Sequence, residues 1–135
     1  MDTSDYLIIG SGIAGLSLAL KAAVHSSVTI VTKDCLPESN SAYAQGGIAS
    51  VWSADDSFDA HIQDTLNAGA GLCHTDAVEA VVREGPERIR ELIALGTNFS
   101  RRKSSQYGNQ PAGDAEYDLG LEGGHSYRRI LHAAD

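Results

Sequence analysis

Apolar residues occur along the chain first in short unbroken runs and later at helical spacing. The run Tyr6–Ile9 is rich in β-forming side chains and predicts a strand buried on both faces. A second run, Val28–Val31, predicts another strand, and the segment from Ile13 to about Val24 has helical periodicity. The helix residues that we expect to face the sheet are Ile13, Leu16, Leu20 and Val24. This order predicts a βαβ start.

A second helix is predicted near residues 57–68, where Asp55 and Asp56 offer oxygen atoms for its N-cap. The residues Gly69-Ala70-Gly71 end it. Asp64 lies on this helix, and we interpret it as a solvated surface charge. The apolar face of the helix carries Phe58, Ile62 and Leu66.

A third helix is expected to begin near Thr75, because Asp76 and Glu79 have the spacing of a capping box. The pair Gly85-Pro86 is expected to interrupt it. Residues 87–95 are amphipathic and place opposite charges at helical spacing, which is typical of a solvated face.

From residue 97 to residue 121 regular periodicity is absent, and turn-forming residues near positions 108–113 indicate a loop or an irregular hairpin. Residues 122–135 are dense in ionisable groups and end in a segment, His132 to Asp135, that resembles a helix. Arg128 and Arg129 are either surface charges at a helix start or site residues. Paired glycines beside Glu122 allow a backbone to approach a ligand closely. The residues alone leave both readings open.

Three glycines link the first strand to the first helix in the order G-x-G-x-x-G. Gly10 permits a tight turn, Gly12 lets the backbone approach a pyrophosphate, and Gly15 lets the helix lie close to the strand. The N–H groups and dipole of the helix's first turn favour phosphate charge. Because a strand precedes the motif and a helix and second strand follow it, we predict a dinucleotide-binding site. The alternative is an ordinary strand-to-helix turn.

Composition limits the class of protein and its partners. The 135 residues fit one domain with a net charge of −8 and have no basic stripe beyond residues 101–103, so nucleic acid is a poor partner. No apolar run approaches membrane-spanning length, and because the first predicted strand begins close to Met1 we expect no signal peptide before it. Cys35 and Cys73 form no C-x-x-C pair, which favours a reduced, cytoplasmic setting. The histidines lack the spacing of metal ligands, so no metal is expected.

The end of the second predicted strand departs from the pattern of a simple NAD-binding domain. An acidic residue for the ribose is common there, whereas this chain has Lys33 with Asp34 beside it. The chain also supplies too few strands for a complete doubly wound sheet. We therefore expect it to be the N-terminal piece of a longer protein.

Three motifs occur in order along the chain. The glycine motif at residues 10–15 is followed by Tyr-Ala-Gln-Gly-Gly-Ile-Ala at 43–49, within a segment whose composition alone predicts a surface loop entering a helix. The third motif is Glu-Gly-Gly-His-Ser at 122–126, which runs into Arg-Ile-Leu-His-Ala-Ala-Asp at 129–135. Together they resemble the L-aspartate oxidase family, FAD-dependent enzymes of bacterial de novo NAD synthesis. That family belongs with the flavoprotein subunits of succinate dehydrogenase and fumarate reductase.

The resemblance spans nearly the whole chain and implies an α/β fold. Residues 1–135 would be the N-terminal portion of a Rossmann-like FAD-binding domain, with the capping and C-terminal helical domains absent. Lys33 resembles a ligand of the FAD adenosine half, and residues 40–47 resemble the loop and helix start that pass the isoalloxazine and pyrophosphate. The residues implied to bind FAD are Gly10, Ser11, Gly12, Ile13, Ala14, Gly15, Lys33, Asn40, Ser41, Ala42, Tyr43, Ala44, Gln45, Gly46 and Gly47.

One position separates the branches of this superfamily. The respiratory flavoproteins attach FAD covalently through the histidine of a Ser-His-Thr triplet, and here the matching triplet is Ser39-Asn40-Ser41. A carboxamide cannot form that link. The resemblance therefore implies non-covalent FAD and a protein outside the membrane-bound complexes.

The resemblance implies oxidation of L-aspartate to iminoaspartate, with O2 or fumarate as electron acceptor and a functional link to quinolinate synthase. Glu122 is the candidate that orients the substrate through its α-ammonium group, while the main base and the substrate arginines are expected beyond Asp135. The alternative role for Glu122 is a loop carboxylate salt-bridged to an arginine. Two alternative functions stay open: a fumarate reductase or succinate dehydrogenase type of flavoprotein, and a non-catalytic nucleotide-binding fragment.

Overall fold

The computed structural model of the chain describes residues 3–44, 46–102 and 117–133. The chain divides into two compact units, residues 1–45 and 46–135. The first unit contains β1 (Tyr6–Ile9), α1 (Ile13–Ala22) and β2 (Val28–Val31). The second contains β3 (Gly47–Ala49), α2 (Phe58–Ala68), α3 (Thr75–Ala94), β4 (Leu119–Gly120) and β5 (Ile130–His132). Within the described ranges, none of the helices has both the length and the apolar character that crossing a membrane requires.

In the first unit β1 and β2 are parallel neighbours, with Tyr6 opposite Val28 at one end of the register. Helix α1 connects them, so the predicted βαβ start is confirmed. The carboxylate of Asp5 accepts hydrogen bonds from the backbone N–H of Ser27 at 2.8 Å and from its hydroxyl at 2.7 Å. These bonds tie the beginning of β1 to the beginning of β2.

Burial in the first unit is lower than the sequence predicts. Ile8 is 8% exposed, but Leu7 and Ile9 are 64% and 85% exposed, so β1 is not buried on both faces. Helix α1 ends at Ala22, and its buried residue is Ala19. The four residues expected to face the sheet are exposed. The physical reason is that the described part of this unit offers only two strands for them to cover.

The sheet of the second unit is antiparallel, in the order β3-β5-β4. Strand β5 is central, and its residues Ile130 and Leu131 are 3% and 0% exposed. The expected helix at His132 is therefore wrong, because a short apolar run does not distinguish a strand from a helix. The core beside this sheet consists of Trp52, Ile89, Phe99, Leu119 and Leu131.

Helix α2 has its expected range, but its N-cap differs from the prediction. The hydroxyl of Ser57 accepts a hydrogen bond from the backbone N–H of Ala60 at 3.1 Å, whereas Asp55 and Asp56 were the expected caps. The carboxylate of Asp56 is instead used in a buried ion pair.

Helix α3 is continuous through Pro86, so the expected interruption is wrong. A proline removes one backbone hydrogen bond, and here apolar burial on both sides of it, at Val82 and Ile89, holds the helix together. Its N-cap is His74, without a side-chain cap, and the predicted capping box at Asp76 is not formed.

The segment after α3 contributes one buried aromatic residue and an antiparallel bridge. Phe99 is 7% exposed, and Arg101 pairs with Tyr117. The predicted turns near residues 108–113 lie outside the described residues.

Candidate cofactor and substrate site

The glycine turn between β1 and α1 depends on two of its glycines. Gly10 has a φ of +109°, and its N–H donates to the carbonyl oxygen of Val31 at 2.8 Å. A Cβ added at Gly15 would overlap the carbonyl oxygen of Gly10. Only glycine therefore lets α1 begin this close to the end of β1.

The N-terminus of α1 can receive an anion. The first N–H groups of a helix have no carbonyl partner inside the helix, and here the N–H of Ile13 donates to the hydroxyl of Ser41 at 3.2 Å. A Cβ at Gly12 would lie 3.7 Å from the same oxygen. The first turn of α1 has no acidic residue to compete with a bound anion. A phosphate oxygen fits the position that the serine oxygen marks.

A pocket of about 520 Å³ opens at the carboxyl ends of β1 and β2. Ser11 is 4% exposed, and its hydroxyl donates to that of Thr32 at 3.2 Å, which joins the two strand ends. The hydroxyl of Tyr43 donates to Glu38 at 2.8 Å, and this bond raises the pKa of Tyr43. The pocket lining also includes Gly10, Lys33, Ser39 and Asn40. A crevice in this position is where parallel α/β sheets bind their ligands.

Within the second unit, Gly46 of the second motif lies close to Glu122 of the third motif. Gly46 has a φ of +99°, and a Cβ added there would lie 4.0 Å from Oε1 of Glu122. The side chain of Glu122 is exposed, and within the described ranges it forms no ion pair. The alternative of a salt bridge to an arginine is therefore not realised in the part of the chain that the structure describes.

The residues after Glu122 form a turn that is bonded to α2. The N–H of His125 donates to the carbonyl oxygen of Glu122 at 3.3 Å, and Gly124 has a φ of +84°. Ser126 then donates twice to the carboxylate of Asp64, from its N–H at 2.8 Å and from its hydroxyl at 2.6 Å. We call residues 122–126 the Glu122 turn.

Arg129 lies fully buried between two carboxylates. Its Nε and Nη2 donate to the two oxygens of Asp56 at 2.9 and 2.8 Å, and its Nη1 donates to Asp64 at 3.0 Å. The side chains of Arg129 and Asp64 are 0% and 11% exposed, so the predicted surface charge is wrong for Asp64, and of the two alternatives for Arg129 the surface charge is excluded. The bonds from Ser126, and then the charge of Arg129, lower the pKa of Asp64.

Sequence reasoning missed this buried ion network of Asp56, Asp64 and Arg129. The two acidic residues lie 73 and 65 positions before the arginine, so no local pattern connects them. The sequence around a buried arginine that precedes a strand does not differ from that around a surface arginine at the start of a helix. Only the recognition of β5 as a strand would have indicated that Arg129 is buried.

A second pocket, of about 580 Å³, lies between α2, α3 and the Glu122 turn. The rings of His61 and His125 line it with centroids 5.6 Å apart. Burial foremost, and then the charges of Arg129 and His125, lower the pKa of His61. Among the residues that the structure describes, no group of three His, Cys, Asp or Glu side chains is arranged to hold a metal ion.

The predicted FAD-binding residues are divided between the two units. Residues 10–15, 33 and 40–44 belong to the first, Gly46 and Gly47 belong to the second, and Gln45 lies outside the described residues. Gly47 begins β3, so the predicted helix start within residues 40–47 is wrong. A Cβ at Gly47 would crowd the carbonyl oxygen of Leu131, so packing against β5 requires this glycine.

A parallel βαβ unit, a glycine turn at a helix N-terminus and a pocket at the strand ends define a dinucleotide-binding α/β protein. The chain belongs to the FAD binding domain family, whose model matches residues 5–135. This family indicates FAD as the cofactor. The close approach that Gly12 permits, and the absence of an acidic residue in the first turn of α1, fit its pyrophosphate.

Two curated relatives have high sequence identity to this chain. L-aspartate oxidase 2-a, chloroplastic, of Nicotiana tabacum is 50% identical over 131 residues, which is 97% of this chain and 19% of the relative. L-aspartate oxidase of Yersinia pestis is 49% identical over 132 residues, which is 98% of this chain and 24% of the relative. The chain thus spans about a fifth to a quarter of their length.

Solved structures share the fold. Mycobacterium smegmatis Sdh1 in complex with UQ1 has a TM-score of 0.84 at 30% identity, covering 99% of this chain and 21% of its own. A quinol-fumarate reductase with menaquinol molecules has a TM-score of 0.82 at 31% identity, covering 100% of this chain and 22% of its own. The fold is that of a flavoprotein FAD-binding domain.

Proposed function

We propose that this chain is the N-terminal portion, residues 1–135, of an FAD-dependent L-aspartate oxidase. The enzyme oxidises L-aspartate to iminoaspartate, with O2 or fumarate as the electron acceptor, in the first step of de novo NAD synthesis. The observation that carries the proposal is the position of Glu122 beside Gly46, where an exposed carboxylate lies against the glycine loop implied to pass the flavin. The sequence identity to two L-aspartate oxidases supports it.

The residues available for FAD are of three kinds. The glycine turn at residues 10–15 would hold the pyrophosphate, Lys33 would contact the adenosine half, and residues 40–47 would lie along the isoalloxazine and the pyrophosphate. FAD held by these residues would supply the hydride acceptor for the oxidation of the substrate at its Cα. Asn40 lines the pocket where a histidine would be needed for a covalent link, so we propose that FAD is held without one.

Glu122 determines which dicarboxylate is a good substrate. Its carboxylate faces the α-ammonium group of aspartate, and succinate and fumarate have no such group. A charge-assisted contact made only to the amino substrate favours that substrate over its analogues. The base and the arginines that hold the substrate carboxylates belong to the chain beyond Asp135 in this proposal.

The test uses the full-length protein, with flavin absorbance and aspartate turnover measured first. Glu122→Gln keeps the shape of the side chain and removes its charge, and we expect kcat/KM for aspartate to fall about ten- to a hundred-fold. Fumarate reduction by the chemically reduced flavin is expected to stay unchanged. Glu79→Gln, at an exposed position of α3, is the matched control and should change neither reaction.

Two results would contradict the proposal. A wild-type protein that carries flavin but oxidises no aspartate would overturn the assigned reaction. An equal fall of both reactions in Glu122→Gln would mean that Glu122 only holds its turn in place.

A fumarate reductase type of flavoprotein is the second candidate, and the likeness to the quinol-fumarate reductase structure favours it. The position of Asn40 and the exposed carboxylate of Glu122 count against it. Fumarate reduction without aspartate oxidation would select this candidate. A protein without flavin would select a nucleotide-binding role.

We also propose a cytoplasmic location and a functional link to quinolinate synthase. Cys35 and Cys73 are both free thiols, which fits a reducing compartment. The tobacco relative is named chloroplastic, so cell fractionation is the deciding measurement. For the link, iminoaspartate hydrolyses in water, and a consuming enzyme nearby would limit that loss. Faster quinolinate formation by the two enzymes together than by sequential incubation would support it.

A further inference from the structure

We infer that Asp64 is a positioning residue for Glu122, acting through Ser126, and that the preference for an amino-dicarboxylate depends on this connection. The inference rests on the proposed role of Glu122. In the proposed site Asp64 itself touches neither the substrate nor the cofactor. Its effect is exerted on the backbone that carries Glu122.

The Glu122 turn is weakly held by its own bonds. One hydrogen bond of 3.3 Å closes it, from the N–H of His125 to the carbonyl oxygen of Glu122. Two of its residues, Gly123 and Gly124, are glycines, which allow many backbone conformations in the absence of other contacts. A Cβ at Gly123 would meet no atom within 4 Å, so close packing does not fix that residue.

Ser126 supplies the missing constraint. Its N–H and hydroxyl both donate to the carboxylate of Asp64, at 2.8 and 2.6 Å. Hydrogen bonds to an ionised acceptor are shorter and stronger than neutral ones, and two of them fix both position and orientation. The turn is thus fixed at the residue directly after His125.

Asp64 can serve as an anchor because it is itself immobilised. It lies inside α2, one turn from Asp59 and Ala60, and its Oδ2 atom also accepts a bond from Arg129 at 3.0 Å. Arg129 is held in turn by the bidentate pair with Asp56. The chain of contacts therefore runs from a buried ion network, through Asp64 and Ser126, to the turn that carries Glu122.

Loosening the connection between Asp64 and Ser126 should lower the rate of aspartate oxidation more than the rate of fumarate reduction. A displacement of about 1 Å at a contacting group can reduce the rate about a hundred-fold. Fumarate makes no contact with Glu122 in the proposed site, so the rate of fumarate reduction should not depend on the position of the Glu122 carboxylate. A purely structural role for Asp64 would instead lower both reactions together.

Ser126→Ala is the primary test in the full-length enzyme, because it removes the hydroxyl and leaves the backbone N–H and the charge of Asp64 in place. We expect kcat/KM for aspartate to fall about tenfold, with fumarate reduction unchanged. Ser126→Thr keeps the hydroxyl and should restore most of the aspartate activity. Asp64→Asn should show a larger, equally selective fall, with Asp59→Asn on the exposed side of α2 as its control. Circular dichroism verifies folding of each variant.

The double variant decides whether the effect passes through Glu122. With Glu122→Gln already present, Ser126→Ala should cause no further fall in aspartate activity, since the contact that it positions is gone. Additive losses, or equal losses in both reactions, would overturn the inference. A selective effect of Glu122→Gln without one of Ser126→Ala would remove only this inference and leave the proposed function standing. Absence of aspartate oxidation in the wild type would remove both.

Discussion

Arg129 and Asp56 form a bidentate ion pair in which neither side chain has any solvent exposure. Asp56 lies just before α2 and Arg129 lies just before β5, so the pair joins the start of a helix to the central strand of the sheet. The backbone adds to this connection, because the N–H of Ser50 donates to the carbonyl oxygen of Arg129 at 2.9 Å. Residues far apart in the sequence are thereby held in fixed relation around one guanidinium group.

Removing that guanidinium should destabilise the fold strongly. Arg129→Leu leaves the carboxylates of Asp56 and Asp64 without their counter-charge, and we expect a loss of about 3–5 kcal/mol in the free energy of unfolding. Urea unfolding of the full-length protein, followed by circular dichroism, measures it. Arg88→Leu is the control, since its ion pairs are half-exposed and should contribute far less to stability than the buried network. Equal effects of the two substitutions would contradict the assigned network.

Substitutions at two glycines of the glycine turn should have different effects, one on folding and the other on FAD binding. Gly15→Ala forces a methyl group onto the carbonyl oxygen of Gly10, so the fold itself should be destabilised. Gly12→Val places its branch beside Ser41, where the backbone is otherwise open, so the fold should survive while FAD is lost. Circular dichroism and the flavin-to-protein absorbance ratio of the full-length protein separate the two outcomes. Stoichiometric flavin in Gly12→Val would refute the proposed pyrophosphate position.

The proposed attachment of FAD can be tested without any substitution. Because Asn40 lines the pocket at the strand ends, acid precipitation of the full-length protein should release all flavin into the supernatant. Absorbance of supernatant and pellet measures the partition. Flavin that stays on the precipitated polypeptide would demonstrate a covalent link and would favour the respiratory branch. Asn40→His tests whether the site can acquire that link.

Stability should depend on pH through His61. Burial, then Arg129 and His125, hold the pKa of His61 below its usual 6.5, while Asp56 and Asp64 act in the opposite direction. The unfolded chain therefore takes up a proton at a higher pH than the folded chain, and the free energy of unfolding falls as the pH drops below about 6.5. The loss levels off below the folded pKa.

His61→Gln should reduce that slope between about pH 7.5 and 5.5, measured from urea midpoints of the full-length protein. His25→Gln, at an exposed position, should keep the wild-type slope. An unchanged slope in His61→Gln would show that another group controls the pH dependence of stability.

The lowered pKa of Asp64 affects stability in a separate pH range. Its stabilising contribution is complete above pH 3.8 and is lost as the pH falls below that value.

The parts of the fold that depend on local pattern were predictable from the sequence. Strands β1 and β2 follow from unbroken apolar runs, α2 follows from helical spacing, and the glycine turn follows from its motif. These features are determined within a few residues, by backbone preferences and by side chains that lie close together in the sequence.

The parts that depend on distant contacts were not predictable. Strand β5 is a strand because β3 and β4 pair with its two edges, and its own three residues do not specify that. The sequence around Asp64 is typical of a surface residue. Asp64 is buried because Ser126 and Arg129, which lie 62 and 65 positions later in the chain, contact it in the fold. For the candidate site, the residue types were foreseeable, whereas the network that positions Glu122 required the tertiary structure.

The two-stranded sheet of the first unit has a consequence for folding in the cell. Within the described residues, β1 and β2 pair only with each other, and the apolar side chains of Leu7 and Ile9 are exposed on β1. Unpaired strand edges with apolar side chains are templates for association with other chains. Chaperone binding to such edges while they are unpaired is the expected protection against aggregation during folding.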